Sequence, residues 1–209
     1  RFPIYVRAGA ALPEQLPAVK IREAVRRENV EGYYLRKYRD DVLQYGFLRV
    51  ARRFLWRLCF ADVMTGPLNY FKTLTGSIAL ARKLKTVLGD SKMVGVLMPS
   101  TVGGALANVA LQSMGRIPVN LNYTASSELI DDCARRCDIT HTVTARAFLE
   151  RVPVTPPGTA VYLEDIRKIV SKSDQVVAML MALFMPARLL FRALGAKPVG
   201  LDDIATIIF

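Results

Sequence analysis

The sequence predicts an α/β fold in which helices flank a mainly parallel sheet. The main observation is a strand–turn–helix–strand pattern in residues 93–124, MVGVLMPSTVGGALANVALQSMGRIPVNLNYT. Its first strand is a short apolar run rich in β-branched residues, typical of a buried parallel strand, and it ends at Pro99. A second strand opens at Ile117. Two strands joined through a helix of this length form a right-handed parallel crossover.

The helix of this crossover carries signals at both of its ends. Ser100 or Thr101 can cap its start, because a hydroxyl oxygen there accepts an otherwise unpaired backbone N–H. Apolar residues then recur at helical spacing: Val102, Ala105, Leu106, Val109, Ala110 and Met114. Gly115 stands where a helix-ending glycine is expected, since glycine enters the left-handed conformation at little cost.

The second observation is that strands and helices alternate through residues 93–209, as they do in α/β proteins. Ser126 or Ser127 can cap a helix through Arg136, whose inner side is predicted to be Leu129, Ile130, Cys133 and Cys137. Further strands are predicted at residues 140–144 and 161–163, with a final core strand at 204–209. Helices are predicted to begin near Phe148 and Glu164.

The most apolar run of the chain, residues 176–185, predicts a helix that is too short to span a bilayer, which takes about 20 residues. A helix that dips into a membrane is one interpretation. We expect instead a helix that is buried or covered by a partner, because Pro186, Arg188 and Arg192 interrupt the apolar stretch.

The residues before this region are less regular. Residues 3–6 predict a strand, and Pro17 predicts the start of a helix with arginines on its outer face. Residues 28–46 fit either a linker or a continuing exposed helix. Residues 47–58 predict a basic amphipathic helix, which either contacts an anionic membrane or packs on its own domain with a solvated arginine face, the reading we favour. A turn at 66–67, an extended piece at 68–70 and a helix at 74–88 follow.

Composition narrows the class of protein. The chain has 209 residues, of which 52% are hydrophobic and 22% charged, so a folded core is expected and disorder is not. The formal net charge of +11 favours an anionic partner such as a lipid surface, a nucleotide or an acidic carrier. Three cysteines without framework spacing indicate reduced thiols in the cytosol. The first and last residues, Arg1 and Phe209, lead us to expect a fragment of a longer protein.

The residues alone give no complete catalytic or metal site. The pair Gly103-Gly104 at a helix start could bind an anion, but close packing of helix on strand is the expected role. Cys133, Cys137 and His141 lie at four-residue intervals, which suggests metal ligands; Asp138 is predicted to end the helix and turn His141 elsewhere. His141 is the only histidine, and no serine–histidine–carboxylate triad surrounds it. No catalytic residue and no metal site are therefore predicted.

Residues 95–126, GVLMPSTVGGALANVALQSMGRIPVNLNYTAS, resemble the early part of the adenylate-forming (AMP-binding) synthetase superfamily. The resemblance is closest to the bifunctional acyl-acyl-carrier-protein synthetase/2-acylglycerophosphoethanolamine acyltransferase family. Supporting motifs flank this segment in the order that such domains show: LNYFKTL at 68–74 with ALA at 79–81, TARAFL at 144–149, and LDDIATIIF at 201–209.

The resemblance implies a domain order. Residues 1–30 resemble the C-terminal end of a glycerophospholipid acyltransferase domain, residues 31–54 form a linker with the basic amphipathic helix, and residues 55–209 form the N-terminal part of an AMP-binding synthetase domain. The family's phosphate loop, adenine segment, ribose-binding aspartate and adenylation lysine would follow Phe209. The acyltransferase histidine–aspartate pair would precede Arg1. The chain alone is therefore expected to be inactive.

The resemblance also implies the chemistry of the longer protein, which we call the parent. A fatty acid carboxylate attacks the α-phosphate of ATP, with Mg²⁺ as the metal cofactor, and gives acyl-AMP and pyrophosphate. The acyl group then passes to the thiol of acyl-carrier protein or coenzyme A. A fused acyltransferase would acylate a lysophospholipid at the cytoplasmic face of a bacterial inner membrane, so the protein is expected to be membrane-associated.

Four residues are candidates for lining an acyl or nucleotide crevice: Met98, Ser100, Asn120 and Asn122. They stand at carboxyl ends of predicted strands, where α/β sheets usually place ligands, although packing at the strand ends is the expected role. Two other functions stay open, a stand-alone acyl-CoA ligase and a non-catalytic basic module that binds membranes. Nucleic acid is disfavoured because the basic residues do not alternate with aromatic residues in a base-stacking pattern.

Overall fold

The computed structural model describes residues 8–34 and 42–209. The predicted strand at residues 3–6 lies outside the described residues, as does the segment 35–41. The chain divides into two compact units, residues 1–41 and residues 42–209. The basic amphipathic helix packs into the core of the second unit.

The first unit contains one described helix, α1 (Ala18–Tyr34). It begins directly after Pro17, whose fixed φ suits the start of a helix. The helix runs past residue 28, so for residues 28–34 the structure supports the continuing helix and not the linker. Its apolar side chains Val19, Ile21 and Val25 are exposed in the described part of the chain.

The second unit contains a small antiparallel hairpin, a parallel sheet and two layers of helices. Its first elements are α2 (Leu43–Arg53), β1 (Leu58–Asp62), β2 (Gly66–Asn69), α3 (Tyr70–Leu88), β3 (Met93–Val96), α4 (Val102–Ser113) and β4 (Ile117–Asn120). They are followed by α5 (Ser127–Arg136), β5 (His141–Thr144), α6 (Arg146–Leu149), β6 (Thr159–Tyr162), α7 (Leu163–Ile169), α8 (Lys172–Phe184), α9 (Ala187–Leu194) and β7 (Ile207–Ile208).

Within the described residues, the larger sheet has the order β6-β5-β3-β4-β7, and all of its neighbouring strands are parallel. β3 lies at the centre because its residues Val94, Gly95 and Val96 are buried. The chain runs from β3 to β4 on one side and then returns to β5 on the other. Right-handed crossovers in opposite directions place helices on both faces of the sheet. The predicted α/β class and parallel sheet are confirmed.

Two apolar clusters fill the space between the sheet and its two helix layers. On one face, α2, α3, α4, α8 and α9 pack against Val94, Val96 and Val143. On the other face, the buried side chains of α5 and α6, Ile130 and Phe148 among them, pack with Leu97 and Val119. Both faces of the sheet are therefore covered by helices and packed against apolar side chains, as in other α/β folds.

The β1–β2 hairpin is a correction to the sequence prediction. The helix predicted over residues 47–58 ends at Arg53, and Leu58 instead begins a strand that pairs with β2. Gly66, predicted to be a turn residue, has a φ of +73° and leads the chain from the turn into β2. The short strands are half-exposed, and the apolar residues at the start of β1 follow closely after a helical pattern, so that pattern extended the predicted helix into the strand.

The C-terminal part differs from prediction in three places. The apolar run at 176–185 forms most of α8, but Val176, Leu180 and Phe184 are exposed and only Ala178 and Ala182 are buried, because the helix turns one narrow side to the core. The final strand β7 lies at the edge of the sheet rather than in its core, so Ile208 is exposed. Leu129, predicted on the inner side of α5, points outward.

Gly115 ends α4 as predicted, with a φ of +69°. The Arg116 and Gly115 N–H groups donate to the carbonyl oxygens of Leu111 and Gln112, which is the Schellman pattern of helix ends. A β-carbon at this position would stand 3.0 Å from the Ala196 α-carbon. We expect Gly115→Val to lower the free energy of unfolding by about 1 kcal/mol or more, measured from urea denaturation midpoints. An unchanged midpoint would contradict this account of the helix end.

Candidate functional site

A cleft of about 420 Å³ lies where β3 and β4 end, and we call it the edge cleft. Its walls are β1, the turn that joins β3 to α4, the first two turns of α4, and Asn120. Three of the four predicted site residues, Met98, Ser100 and Asn120, line it. The carboxyl ends of parallel strands meet at one edge of the sheet, which is why these residues come together.

Asn122, the fourth predicted residue, does not line the edge cleft. It is exposed, and its side-chain oxygen accepts hydrogen bonds from the Thr124 N–H at 3.0 Å and the Thr124 hydroxyl at 2.7 Å. This is the pattern by which asparagine stabilises a local turn. The structure therefore gives Asn122 a role in shaping the loop between β4 and α5.

Asn120 is held by a hydrogen-bond network. Its amide and the amide of Asn108 on α4 pair reciprocally, each nitrogen donating to the other's oxygen at 3.0 and 2.9 Å. Asn120 Nδ2 also donates to Thr206 Oγ1 at 3.1 Å, and the Thr206 hydroxyl donates to the Pro118 carbonyl oxygen. Both donors of Asn120 are thus in use, so this side chain ties β4 to α4 and to the segment before β7.

We expect Asn120→Ala to lower the free energy of unfolding by about 2 kcal/mol, because it removes the half-buried hydrogen bonds that join Asn120 to Asn108 and Thr206. The double variant Asn108→Ala/Asn120→Ala should lose less than the sum of the two single variants, because each single change already breaks the same pair. Urea denaturation of the four proteins measures this. Strict additivity would show that the amide pair does not stabilise the fold.

Asp62 anchors the hairpin to the start of α4. Its Oδ2 accepts a hydrogen bond from the Val102 N–H at 2.7 Å, and its Oδ1 accepts one from the Thr65 N–H. The Thr65 and Val102 N–H groups hold the pKa of Asp62 below its ordinary value. A carboxylate is favoured at this position because the N-terminus of a helix carries partial positive charge.

The Gly103-Gly104 pair follows Val102 in the first turn of α4. A β-carbon on Gly104 would stand 3.2 Å from the Pro99 carbonyl oxygen, and one on Gly103 would stand 3.2 Å from the Met98 methyl carbon. The glycines therefore permit close packing. Asp62 already occupies the N-terminus of α4, and its negative charge disfavours a phosphate there.

The suggested metal ligands lie in different surroundings. Cys133 and Cys137 are buried in the apolar cluster beneath α5, and burial raises the pKa of the Cys137 thiol. The His141 ring nitrogen Nδ1 instead lies 2.8 Å from the Ser91 hydroxyl and 3.0 Å from the Thr140 hydroxyl. Among residues 8–34 and 42–209, no group of three or more His, Cys, Asp or Glu side chains is arranged to hold a metal ion.

A larger cleft of about 880 Å³ lies among α3, α4, α7 and α8, and we call it the helix groove. Sequence reasoning missed it, because its walls come from four helices that are distant along the chain. Most of its lining is apolar, including Phe71, Leu106, Ile166 and Met179. Gly76, an interior glycine of α3, also lines the groove. A glycine inside a helical pattern can have a packing or functional reason, so this residue was the available sequence signal for the groove.

The basic helix α2 packs on its own unit. Leu48 and Ala51 are buried in the core, which agrees with the favoured reading of residues 47–58. Arg52 turns toward the end of α8, where Nε donates to the Ala182 carbonyl oxygen at 2.7 Å and Nη2 donates to the Met185 carbonyl oxygen at 2.5 Å. In the described part of the chain, no helix is both long and apolar enough to cross a membrane.

Several solved structures are similar to this chain in fold. The N-terminal subdomain of Klebsiella oxytoca NpsA, in complex with 3-hydroxybenzoyl-AMSN, matches with a TM-score of 0.57 at 13% identity, over 66% of this chain and 34% of that one. VinN matches with a TM-score of 0.59 at 12% identity, over 81% and 42%. The nonribosomal peptide synthetase FmoA3 matches with a TM-score of 0.58 at 15% identity, over 79% and 16%.

This chain has the N-terminal adenylation-domain fold. The chain spans about a third of the NpsA chain and less than half of the VinN chain. No protein-family model matches the sequence. At these identities the likeness shows the fold, while the substrate and the partners have to be argued from the residues of this chain.

Proposed function

We propose that this chain contains the N-terminal part of an ATP-dependent, adenylate-forming synthetase that activates fatty acids. The observation that carries the proposal is the adenylation-domain fold of residues 42–209. The motifs in residues 68–81, 95–126, 144–149 and 201–209, which resemble the acyl-acyl-carrier-protein synthetases in order and spacing, support the choice of substrate.

In the proposed reaction, one oxygen of the fatty acid carboxylate attacks the α-phosphate of ATP, pyrophosphate leaves, and acyl-AMP forms. A thiolate of acyl-carrier protein or coenzyme A then attacks the acyl carbon and releases AMP. The described residues of this chain provide the sheet edge and the hairpin of the domain. The residues that hold ATP and Mg²⁺ are proposed to lie in other parts of the parent.

The second part of the proposal is fusion to a lysophospholipid acyltransferase at the cytoplasmic face of a bacterial inner membrane. Two observations support it: residues 1–30 resemble the end of such an acyltransferase domain, and the chain carries a net charge of +11, which suits an anionic lipid surface. A stand-alone acyl-CoA ligase is the alternative, and it would have no use for helix α1.

ATP–pyrophosphate exchange tests the proposal. We expect the parent to catalyse exchange that depends on a long-chain fatty acid, and not on aspartate or hydroxybenzoate. The 209-residue chain alone should show no exchange with any of these acids, because Asp62 occupies the helix N-terminus that could have bound phosphate. Exchange driven by an amino acid would contradict fatty acid activation, and exchange by the isolated chain would contradict the placement of the ATP site.

A further inference from the structure

The helix groove combines an apolar floor with a basic rim. Its floor is formed by side chains such as Ala79, Leu106 and Ile166, of which Ala79 and Ile166 also belong to the core of the second unit. Apolar clefts of about 300–1,000 Å³ are the usual size of small-molecule sites, and the helix groove falls in this range at about 880 Å³. Its floor thus suits a flexible hydrocarbon chain.

The rim carries three cations, Lys72, Arg167 and Lys172, and the lining includes no aspartate or glutamate. None of the three makes an ion pair with a carboxylate of residues 8–34 or 42–209. Several unpaired cations beside an apolar cleft attract a ligand that is anionic at one end and apolar along its length.

Two carboxylates near the rim are already engaged. Asp174, which follows Lys172 in the first turn of α8, accepts hydrogen bonds from Lys83 at 2.7 Å and from the Ser171 hydroxyl at 2.7 Å, and these partners lower its pKa. Asp165 on α7 pairs with Arg146 and Lys168. These two carboxylates therefore do not neutralise Lys72, Arg167 or Lys172, whose positive charges are available to a ligand.

Gly76 keeps the groove open. A β-carbon added there would have Leu106 Cδ2 as its nearest neighbour, at 3.9 Å, which is ordinary contact, so the backbone tolerates a side chain. A large side chain at this position would project into the cleft that the glycine lines. The absence of a side chain in mid-helix, which costs helix stability, thus creates volume in the groove.

We infer that the helix groove binds a free fatty acid, with the hydrocarbon chain against α3 and α4 and the carboxylate at the rim of Lys72, Arg167 and Lys172. The choice of a fatty acid among anionic amphiphiles rests on the proposed function. The volume of the groove, its basic rim and the space beside Gly76 are observations that do not depend on that function. The site is separate from the edge cleft, whose polar groups are committed to the asparagine pair and to Asp62.

Binding of cis-parinaric acid, a fluorescent long-chain fatty acid, to the 209-residue chain tests the inference. We expect saturable binding by monomeric ligand below its micelle concentration. Gly76→Phe should weaken binding by about tenfold by filling the groove. Gly46→Phe is the matched control, since Gly46 is also an open helical position and lies outside the groove; it should leave binding within about twofold.

Charge is tested separately. Lys72→Glu/Lys172→Glu should weaken binding of the acid by about tenfold and leave the methyl ester of the same acid nearly unaffected, because the ester carries no charge. Lys92→Glu/Lys197→Glu changes the net charge by the same amount at exposed positions outside the groove and should have little effect. Thermal denaturation checks that each variant is folded.

Three results would overturn the inference: no saturable binding by the folded chain, binding that Gly76→Phe leaves unchanged, or binding to phosphatidylglycerol vesicles alone. The proposed function fails independently. If the parent exchanges pyrophosphate with an amino acid while this chain still binds cis-parinaric acid in the groove, fatty acid activation is wrong and the groove assignment stands.

Discussion

Gly158→Ala is expected to lower the free energy of unfolding by about 3 kcal/mol, the largest loss among the single substitutions considered. Gly158 has a φ of +69°, a conformation that strains any residue with a β-carbon. An added β-carbon would also stand 2.5 Å from the Thr140 carbonyl oxygen and 2.7 Å from the carbonyl carbon. That oxygen accepts the Thr159 N–H that starts the β5–β6 pairing, so relieving the clash moves the ladder itself.

Gly66→Ala is the matched control for this prediction. Gly66 has nearly the same φ, +73°, but an added β-carbon would meet nothing within 4 Å. We expect it to cost about 1 kcal/mol, the strain of the left-handed conformation alone. Urea denaturation of both variants separates strain from steric clash. Equal losses at the two positions would contradict the close approach of Gly158 to β5.

Arg52→Ala is expected to lower the free energy of unfolding by about 2 kcal/mol, because charged hydrogen bonds to half-buried carbonyl groups are lost. Arg52 donates to three carbonyl oxygens at the end of α8, those of Met181, Ala182 and Met185. The Met181 oxygen also accepts the Met185 N–H. The last carbonyls of a helix lack a full set of partners within it, and the dipole of α8 adds to their attraction for a cation. Burial lowers the pKa of Arg52, but the guanidinium stays charged at neutral pH.

Two further variants test the geometry of this contact. Arg52→Lys should recover less than half of the loss, since a single ammonium group cannot reproduce the planar set of donors. Arg53→Ala, one residue along and exposed, should change stability by no more than about 0.5 kcal/mol. If Arg52→Ala and Arg53→Ala shift the urea midpoint equally, Arg52 does not cap α8.

The sequence predicted the central crossover well because its signals are local. The β-branched run of β3, the threonine cap and the left-handed Gly115 all act within a few residues, and each is confirmed. The β1–β2 hairpin was missed because its strands are half-exposed and directly follow a helical pattern, so the helix was extended to residue 58.

The candidate sites were harder to predict because their contacts are distant in sequence. Arg52 meets carbonyl groups about 130 residues away, and the helix groove combines helices that begin at Tyr70 and end at Phe184. The edge cleft was found in part, since strand ends are a general place for ligands. The reciprocal pairing of Asn108 and Asn120, which uses both amides, depends on the position of α4 over β4.

The coding sequence of the parent on both sides of this chain is the measurement that tests the central claim most directly. The account predicts a Ser/Thr/Gly-rich loop ending in Pro-Lys-Gly within about ten residues after Phe209, because a phosphate-binding loop needs flexible backbone N–H donors. It also predicts a histidine followed five residues later by an aspartate upstream of Arg1. The loop without the upstream pair would leave a plain acyl-activating ligase, and the absence of both would contradict the account.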